Sequence, residues 1–231
     1  MSERSNLRSR LAEVLAPGTR GAVVITAAIG FCSVATAFTP SPGIGVLLSL
    51  LLTALVAWAR GSWLGFRAPA SWSRTLALGV GAGIVIQLAT ALILEPLVRM
   101  LSGHAPDVSQ FDEIRGDLPA LLQWLAIVWV FVVFVEEWVF RGLLAQELCT
   151  LLGDDRAALV ASLAASSVVF GLAHAYQGIG GILTTGIVGF ALAALTAREH
   201  WNLWPAVIAH GTIDTIGLLA IYGNLDRALS G

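Results

Sequence analysis

Charged side chains are scarce in this sequence. Asp, Glu, Lys and Arg make up 12% of the 231 residues, whereas hydrophobic residues make up 57%. A soluble globular domain carries about 25% charged residues. The composition therefore excludes an ordinary soluble domain and predicts a polytopic membrane protein, with a lipid bilayer as its surroundings. A formal net charge of −2 provides no basic surface, so a nucleic-acid partner is excluded as well.

Lysine is absent and cysteine is nearly so. All 13 basic residues are arginines, and the two cysteines, Cys32 and Cys149, lie far apart in apolar stretches. Cysteines in such stretches are expected to be packed or lipid-facing rather than bridged. They carry no information on the redox compartment.

Several catalytic motifs are also missing. The chain has no Gly-x-Ser-x-Gly turn, no His-Glu-x-x-His pair and no phosphate-binding glycine loop. Neither cysteine has the setting of a nucleophile. These absences argue against hydrolases and nucleotide-binding proteins that are built on those motifs.

Long apolar stretches are abundant. A helix needs about 20 apolar residues to cross the hydrocarbon core of a membrane. Seven stretches approach or exceed this length, and we therefore predict an all-α fold, a polytopic transmembrane helix bundle of about seven spans. Gly79 and Gly83, four residues apart in the third span, predict close packing against another helix. The predicted spans are 21–38, 44–59, 75–98, 118–152, 157–175, 179–197 and 203–222.

The chain divides into four parts around these spans. Residues 1–20 form an arginine-rich N-terminus, 21–117 hold three spans and a polar loop, 118–222 form a membrane core, and 223–231 are a short tail. The first apolar run is longer than the hydrophobic region of a signal peptide and lacks a convincing cleavage site, so it is predicted to be a retained span. The sequence shows no second domain and no internal repeat.

The arginines are distributed unequally between the two ends of the spans. An excess of arginine marks the cytoplasmic side, so the N-terminus is predicted to be cytoplasmic in the cell (inner) membrane. The polar loop at 99–117 then lies outside, and the turns around Asp154 and His200 lie in the cytoplasm. The cytoplasmic set comprises Arg4, Arg8, Arg10, Arg20, Arg60, Arg67, Arg74, Arg156 and Arg198, and the outer set comprises Arg99, Arg115 and Arg227.

Two adjacent carboxylates, Glu136 and Glu137, interrupt the fourth predicted span. An ionisable residue at membrane depth is a candidate functional residue and needs a partner. Arg141 follows Glu137 by four residues, so the two share a helix face and can form an ion pair. Glu136 points about 100° away from Glu137, and the spacing gives it no partner on its own helix.

Two further polar pairs lie inside later spans. His174 follows Phe170 by four residues, and Asp214 follows His210 by four residues. Residues at this spacing share a helix face. Each of these faces therefore presents a histidine from within a span.

Counting residues along the helices relates the depths of these groups. Measured from the turn near Asp154, Glu136 and His174 are level to within about 3 Å. His210, measured from the turn near His200, is shallower by about 12–15 Å. The difference closes if the first helical hairpin projects into the cytoplasm. The counts permit one cluster comprising Glu136, Glu137, Arg141, His174, His210 and Asp214.

Such a cluster can hydrolyse a carbonyl compound in two ways. A carboxylate in a low-dielectric site can act as a general base, with one histidine holding the water and another stabilising an oxyanion. Alternatively, Glu136, His174 and His210 could bind Zn²⁺ with an open position for water. The residues leave both routes open, and the first does not require zinc.

Three motifs in this order resemble the signature of the CPBP family. This family comprises CAAX proteases and bacteriocin-processing intramembrane endopeptidases, and it is also called the type II CAAX prenyl endopeptidase or Abi family. The motifs are Glu-Glu-x-x-x-Arg at 136–141, Phe-x-x-x-His at 170–174 and His-x-x-x-Asp at 210–214, and the segment 202–210 is similar as well. The resemblance implies an all-helical membrane fold with the active site in an intramembrane cavity that opens to the cytoplasm.

The resemblance also implies roles for six residues. Glu136 would act as the general base, and His174 would help it to hold the water. Glu137 and Arg141 would support the structure of the site, and His210 and Asp214 would lie beside the oxyanion. The last motif of the family often ends in Asn. Asp214 departs from that pattern, and an ionised Asp cannot donate a hydrogen bond to an oxyanion.

We therefore predict an intramembrane endopeptidase that hydrolyses a peptide bond with a Glu-activated water in a peptide or membrane-protein substrate. Two alternatives stay open, a catalytically silent immunity or scaffold protein of the same fold and a proton-coupled carrier. A carrier should show a second half that resembles the first, which the sequence lacks. The sequence specifies neither a cofactor requirement, nor a cleavage site, nor an oligomeric state.

Overall fold

The structure is a computed structural model that describes residues 2–35, 37–39, 43–153 and 155–226. Asp154, Arg227 and the rest of the predicted tail from residue 228 lie outside the described residues. Within the described ranges the regular secondary structure is helical, without any strand. The predicted all-α fold class is confirmed.

Eight main helices run through the described parts of the chain. They are α1 (Ser2–Val14), α2 (Arg20–Ala35), α3 (Gly43–Arg60), α4 (Trp72–Ser102), α5 (Leu118–Leu152), α6 (Arg156–Ala173), α7 (Gly178–Arg198) and α8 (Trp204–Tyr222). Short 3₁₀ turns cover Ser109–Ile114 and Ala175–Gln177.

Six of the described helices, α3 to α8, are long and apolar enough to cross a membrane. The first predicted span, 21–38, corresponds to α2, an apolar helix of 16 residues. At 1.5 Å per residue α2 is about 24 Å long, whereas the hydrocarbon core is about 30 Å thick. The polytopic bundle is confirmed, and the first of the seven predicted spans is a shorter helix.

Capping side chains fix where three of these helices begin. Ser71, Asp117 and Asp155 accept hydrogen bonds from backbone N–H groups of the first turns of α4, α5 and α6, at 3.3, 2.9 and 2.8 Å. These bonds satisfy donors that the start of a helix leaves unpaired. The long α5, which carries both adjacent glutamates, therefore has a defined starting point at the mouth of the cavity described below.

Glycine allows α4 to pack closely against α8. A Cβ atom on Gly79 would lie 2.6 Å from Cβ of Ile208, and one on Gly83 would lie 2.6 Å from Cβ of Thr212. Any side chain at either position would displace α8. The predicted packing face is confirmed, and since the contacts advance together along both sequences, the two helices are parallel.

The linker between α3 and α4 closes one end of the bundle. The rings of Trp63 and Phe66 pack on Trp138 of α5 with centroid distances of 6.3 and 6.5 Å. The N–H of Leu203, just before α8, donates to the carbonyl of Gly65 at 3.1 Å. These contacts close the bundle at the end where α3 finishes and α4 begins.

The closed end is also the arginine-rich end. Arg60 pairs there with the buried Glu147 at 2.5 Å, and Arg74 pairs with Glu199 at 2.9 Å. The helix directions place the described residues of the predicted cytoplasmic arginine set at this end, whereas Arg99 and Arg115 lie at the other. The asymmetry inferred from the sequence is thus a property of the folded bundle.

Helices α4 and α5 contain π-helical turns. They cover Thr90–Leu94 in α4, and Val128–Val132 and Glu137–Leu144 in α5. Such turns are rare and are frequently found at functional sites. Their extra residue changes the direction of the side chains that follow. The two π segments of α5 lie on either side of Glu136.

Candidate active site

A cavity of about 610 Å³ lies within the helix bundle. The polar side chains at its inner end are Glu136, His174, His210 and Asp214. Apolar side chains line its outer half, among them Val108, Phe111, Trp124, Val128 and Phe131. The structure thus contains the intramembrane cavity that the sequence led us to expect, with polar groups at its base and apolar walls.

The cavity opens at the end of the bundle opposite to the turns that follow α5 and α7. Its wall includes the loop 106–111 and Ile221 near the end of α8, both remote from the closed end. The prediction that the cavity faces the same side as the turns around Asp154 and His200 is therefore wrong. Residue counting gives relative depths, but the packing of the aromatic linker decides which end stays open.

Ion pairs hold the loop at the mouth. Arg115 contacts Asp226 at 2.6 Å and Asp112 at 2.7 Å, and hydrogen bonds to these carboxylates, Asp226 first, raise the pKa of the Arg115 guanidinium. Asp107 accepts the N–H of Ser109 at 2.9 Å, and hydrogen bonds from the side chain and backbone of Ser109 lower the pKa of the Asp107 carboxyl. The loop is therefore charged at neutral pH and tied to the end of α8.

Glu137 and Arg141 form the ion pair that their spacing predicts. Oε1 of Glu137 lies 2.9 Å from Nη1 of Arg141, and the side chains are 0% and 1% exposed. Breaking such a pair by removing one partner leaves a buried charge without compensation, which typically costs about 3–5 kcal/mol. The pair therefore acts as a structural unit behind the cavity.

Arg141 also ties three helices together. Its Nη2 donates to the carbonyl of Gly189 in α7 at 3.0 Å, and its guanidinium carbon lies 4.2 Å from the ring centroid of Phe170 in α6. A Cβ on Gly189 would lie 2.7 Å from Cδ1 of Phe170, so glycine keeps this space open. The guanidinium is thereby satisfied by a carboxylate, a carbonyl and an aromatic face.

Glu137 has a second partner, His210, which the sequence did not predict. Oε1 of Glu137 lies 2.8 Å from Nδ1 of His210, across 73 residues of sequence. An ionised carboxylate only accepts hydrogen bonds, so Nδ1 donates and Nε2 is the atom that faces the cavity. A carboxylate in this position orients the ring and stabilises positive charge on it.

Glu136 lies between the two histidines at the inner end of the cavity. Its Oε1 is 4.0 Å from Nε2 of His174, and its Oε2 is 3.7 Å from Nε2 of His210. The side chain is 12% exposed, in contrast to the fully buried Glu137. Of the two adjacent glutamates, Glu136 is therefore the one that a molecule in the cavity can reach.

His174 ends α6 and is fixed by its own helix. Its Nδ1 lies 2.8 Å from the carbonyl oxygen of Phe170. Since a carbonyl only accepts, Nδ1 carries the proton, and the Nε2 lone pair of the neutral ring points toward Glu136. The Phe-x-x-x-His spacing thus determines the tautomer as well as the face of the helix.

Asp214 lies one turn beyond His210 on α8, toward the mouth. Its Oδ2 is 3.7 Å from Nε2 of His210, which is too long for a hydrogen bond. Asp214 therefore does not orient His210 in the way that Glu137 does. It lines the cavity between His210 and the mouth.

The alternative zinc site would use Glu136, His174 and His210. Two ligands on one tetrahedral zinc ion are about 3.3 Å apart, given bonds of 2.0–2.1 Å, whereas Glu136 lies 4.0 and 3.7 Å from the histidines. Among the described residues no group of three or more His, Cys, Asp or Glu side chains is arranged to hold a metal ion. The arrangement does not fit zinc as it stands.

Two residues that the sequence reasoning passed over also line the cavity. Tyr176 lies in the turn after α6, with its ring centroid 5.7 Å from that of His174. Glu95, to which no chemistry was assigned, lines the cavity from α4. The available signals were a tyrosine two residues after His174, and the single charged residue of the third predicted span.

Comparisons with known proteins give one finding. The family model described as Rce1-like, type II CAAX prenyl endopeptidase, matches residues 118–216. The matched segment extends from the start of α5 to just beyond Asp214 and contains all six predicted site residues. Neither the curated proteins nor the solved structures gave a match. The resemblance that the sequence motifs indicated is thereby confirmed over residues 118–216, and the chain is a multi-pass membrane protein that matches a family of CAAX-type proteases in this segment.

Proposed function

We propose that this protein is an intramembrane endopeptidase in which Glu136 activates the water that cleaves a peptide bond. One observation carries the proposal. Of two adjacent glutamates, Glu137 is fully buried in contacts with Arg141 and His210, whereas Glu136 faces the cavity between two histidine Nε2 atoms. A carboxylate that is not needed for structure is available for chemistry.

The gap between Glu136 and His174 suits a water molecule. The distance of 4.0 Å is too long for a direct hydrogen bond and leaves room for a bridging water. The water would donate one hydrogen to Oε1 of Glu136 and the other to Nε2 of His174, whose lone pair is free because Nδ1 holds the proton. A lone pair of the water oxygen is then directed at the substrate carbonyl.

In the first step the water oxygen bonds to the carbonyl carbon while one of its protons passes to Glu136. The π electrons of the carbonyl move to its oxygen and form an oxyanion. In the second step the oxyanion collapses, the C–N bond breaks, and Glu136 returns the proton to the leaving nitrogen. The products are a carboxylic acid and an amine, and the glutamate is regenerated.

His210 is suited to stabilise the oxyanion. Its Nε2 faces Glu136 and Asp214 at 3.7 Å, and its Nδ1 is held by Glu137 at 2.8 Å. A ring protonated at Nε2 can donate to the oxyanion, and the Glu137 carboxylate stabilises that positive charge. The Glu137–Arg141 pair therefore supports catalysis from behind the cavity.

We infer the membrane orientation from the arginines. An arginine-rich closed end is typical of the cytoplasmic side, which supports a cytoplasmic N-terminus for a protein of the cell (inner) membrane. The cavity then opens to the extracytoplasmic side, the reverse of the direction that the family resemblance implied. The substrate would be a peptide or membrane-protein segment that reaches the cavity from outside or from the bilayer.

The test compares the adjacent glutamates in purified protein. Glu136→Gln should lower peptidase activity by about 10²–10⁴-fold, the usual contribution of a general base, with an unchanged thermal unfolding temperature. Glu137→Gln should instead lower the unfolding temperature, because it removes a partner from a buried charge. Glu199→Gln, at the closed end, is the control and should change neither.

The outcomes separate the functions considered. Equal loss of stability in both glutamate variants would assign Glu136 a structural role and contradict the proposal. Wild-type protein that binds peptides but cleaves none of a broad peptide set would favour a catalytically silent scaffold of the same fold.

A further inference from the structure

Glu95 is a charged residue of the cavity that the proposed reaction does not use. It is half-buried and lies within α4, the third predicted span, and it lines the same cavity as Glu136. A carboxylate at such a position is costly unless it has a function or a partner.

The backbone of α4 turns Glu95 toward the cavity. The π segment Thr90–Leu94 directly precedes it, and the N–H of Glu95 donates to the carbonyl of Thr90, five residues earlier. Leu92 and Ile93 within that segment are both 66% exposed on the outer surface. The extra residue of the π turn changes the direction of the side chains that follow it. Leu92 and Ile93 therefore face outward, whereas Glu95 faces the cavity.

Glu95 has no charged partner within the described part of the chain. No arginine or histidine side chain there forms an ion pair with its carboxylate. Gln87 and Thr90, on the same face of α4, line the cavity nearer its base. These three side chains form a polar stripe on an otherwise apolar wall.

Carboxylates outnumber basic groups on the cavity wall. Glu95, Glu136 and Asp214 line it, the two histidines lie at its base, and no arginine is among the described residues of the wall. Arg141 is 1% exposed behind Glu137. A carboxylate in an apolar surround, remote from the histidines, favours a ligand group of the opposite sign.

The parallel packing of α4 and α8 gives the height of Glu95 above the base. Gly83 is level with Ala209 and Thr212, and Glu95 follows Gly83 by 12 residues. At 1.5 Å per residue Glu95 lies about 18 Å nearer the mouth than His210, which faces Glu136 at the base. An extended peptide advances about 3.3 Å per residue, so this height corresponds to about five residues.

We propose that Glu95 is a subsite for a basic side chain of the peptide substrate, about five residues from the scissile bond. The inference rests on the proposed peptidase function and specifies its substrate class. An arginine or lysine in the substrate would pair with Glu95, and Gln87 and Thr90 would accept or donate further hydrogen bonds along the wall. The apolar side chains nearer α5 would contact the intervening residues.

The experiment scans arginine through the positions of a peptide substrate on both sides of the cleavage site, with glutamine as the neutral counterpart. We expect kcat/KM to rise about tenfold when arginine stands about five residues from the cleaved bond, since a hydrogen bond to a charged group contributes about this much. Glu95→Gln should reduce the preference to less than about twofold. Glu95→Arg should transfer it to glutamate at the same position.

Glu113→Gln is the matched control. Glu113 lies on the same side of the bundle in the polar loop, where it accepts a hydrogen bond from Trp124 at 2.6 Å, but it is not part of the cavity wall. The same charge change there should leave the arginine preference intact. A loss of preference equal to that of Glu95→Gln would mean that general charge at the mouth, rather than Glu95, selects the peptide.

Binding to the Glu136→Gln protein separates this inference from the proposed reaction. Tighter binding of the arginine peptide that depends on Glu95 would support the subsite even if no variant cleaves. Cleavage with no preference for basic residues would overturn the subsite and leave the peptidase function standing. If ethanolamine lipid added to the micelles removes the preference, Glu95 binds a lipid ammonium group and the proposal fails.

Discussion

At the residue scale, the neighbouring glutamates show how one helix can separate structure from chemistry. Glu137 is held by Arg141 and His210 at 2.9 and 2.8 Å, whereas Glu136 lies 4.0 and 3.7 Å from the nitrogens of His174 and His210. An angle of about 100° between adjacent positions of a helix produces this division. A one-residue shift of α5 would put Glu136 in the buried place of Glu137 and Glu137 in the place of Trp138.

Asp214→Asn is the substitution that separates metal-free from metal-dependent hydrolysis. Asp214 contacts no ring nitrogen at hydrogen-bond distance, so we expect the variant to retain or exceed wild-type activity, because an amide donates to an oxyanion without needing a proton. The gain should be largest at high pH. The measurement is peptidase activity of both proteins across a pH range.

Activity measured with a chelator, and again after zinc is added, tests whether the reaction needs a metal ion. We expect chelators to leave wild-type activity unchanged. If Asp214 supports a metal ligand, the Asn variant should lose about 10–100-fold in activity or metal affinity. An inactive Asn variant, together with chelated wild-type protein that zinc reactivates, would contradict the metal-free reaction.

At the element scale, the side chains of the site are positioned by long helices that contain local π turns. Helix α5 covers 35 residues, from the mouth of the cavity to beyond its base. Its side chains contact α6, α7 and α8 through Arg141 and Glu137. The other walls depend on close helix packing, most clearly between α4 and α8.

Gly83→Leu should damage that packing and Gly81→Leu should not. A Cβ on Gly83 would lie 2.6 Å from Thr212, whereas a Cβ on Gly81 meets nothing within 4 Å among the described residues. Overpacking of this kind costs about 1–3 kcal/mol, and a surface substitution usually stays within about 0.5 kcal/mol. Thermal unfolding of the two variants in detergent compares them directly. Equal unfolding temperatures would mean that α4 and α8 are not in close contact.

At the scale of the whole molecule, the bundle has one closed and one open end. The linker 61–71 fills one end with aromatic rings and arginines, and the cavity opens at the other, beside the acidic loop. The side of the membrane that the open end faces is therefore the side from which a substrate would enter the cavity. The arginine excess favours the cytoplasm for the closed end.

Labelling of single cysteines in intact cells tests this orientation. In a protein with Cys32 and Cys149 replaced by alanine, Ser109→Cys at the mouth should react with a membrane-impermeant maleimide added outside. Ser73→Cys at the closed end should react only after the cells are permeabilised. Both serines are exposed in the structure. The reverse pattern would place the cavity mouth in the cytoplasm and overturn the proposed orientation without affecting the chemistry.

Much of the site could be predicted from spacing alone. Helix periodicity, which is a local property, predicts the Glu137–Arg141 pair, the two histidine motifs and the Gly79–Gly83 face. The contact between Glu137 and His210 joins residues 73 apart, and helix periodicity contains no information at that range. The same holds for Tyr176 and Glu95, whose place in the cavity depends on how α4, α6 and α8 pack.

The sequence by itself determined the fold class, the approximate spans and the set of polar residues that had to be buried, because composition and periodicity act within each helix. Only the tertiary structure decided that Glu137 also contacts His210 and at which end the cavity opens. The first depends on the packing of α5 against α8. The second depends on the aromatic linker, since its rings fill one end of the bundle and leave the other unfilled.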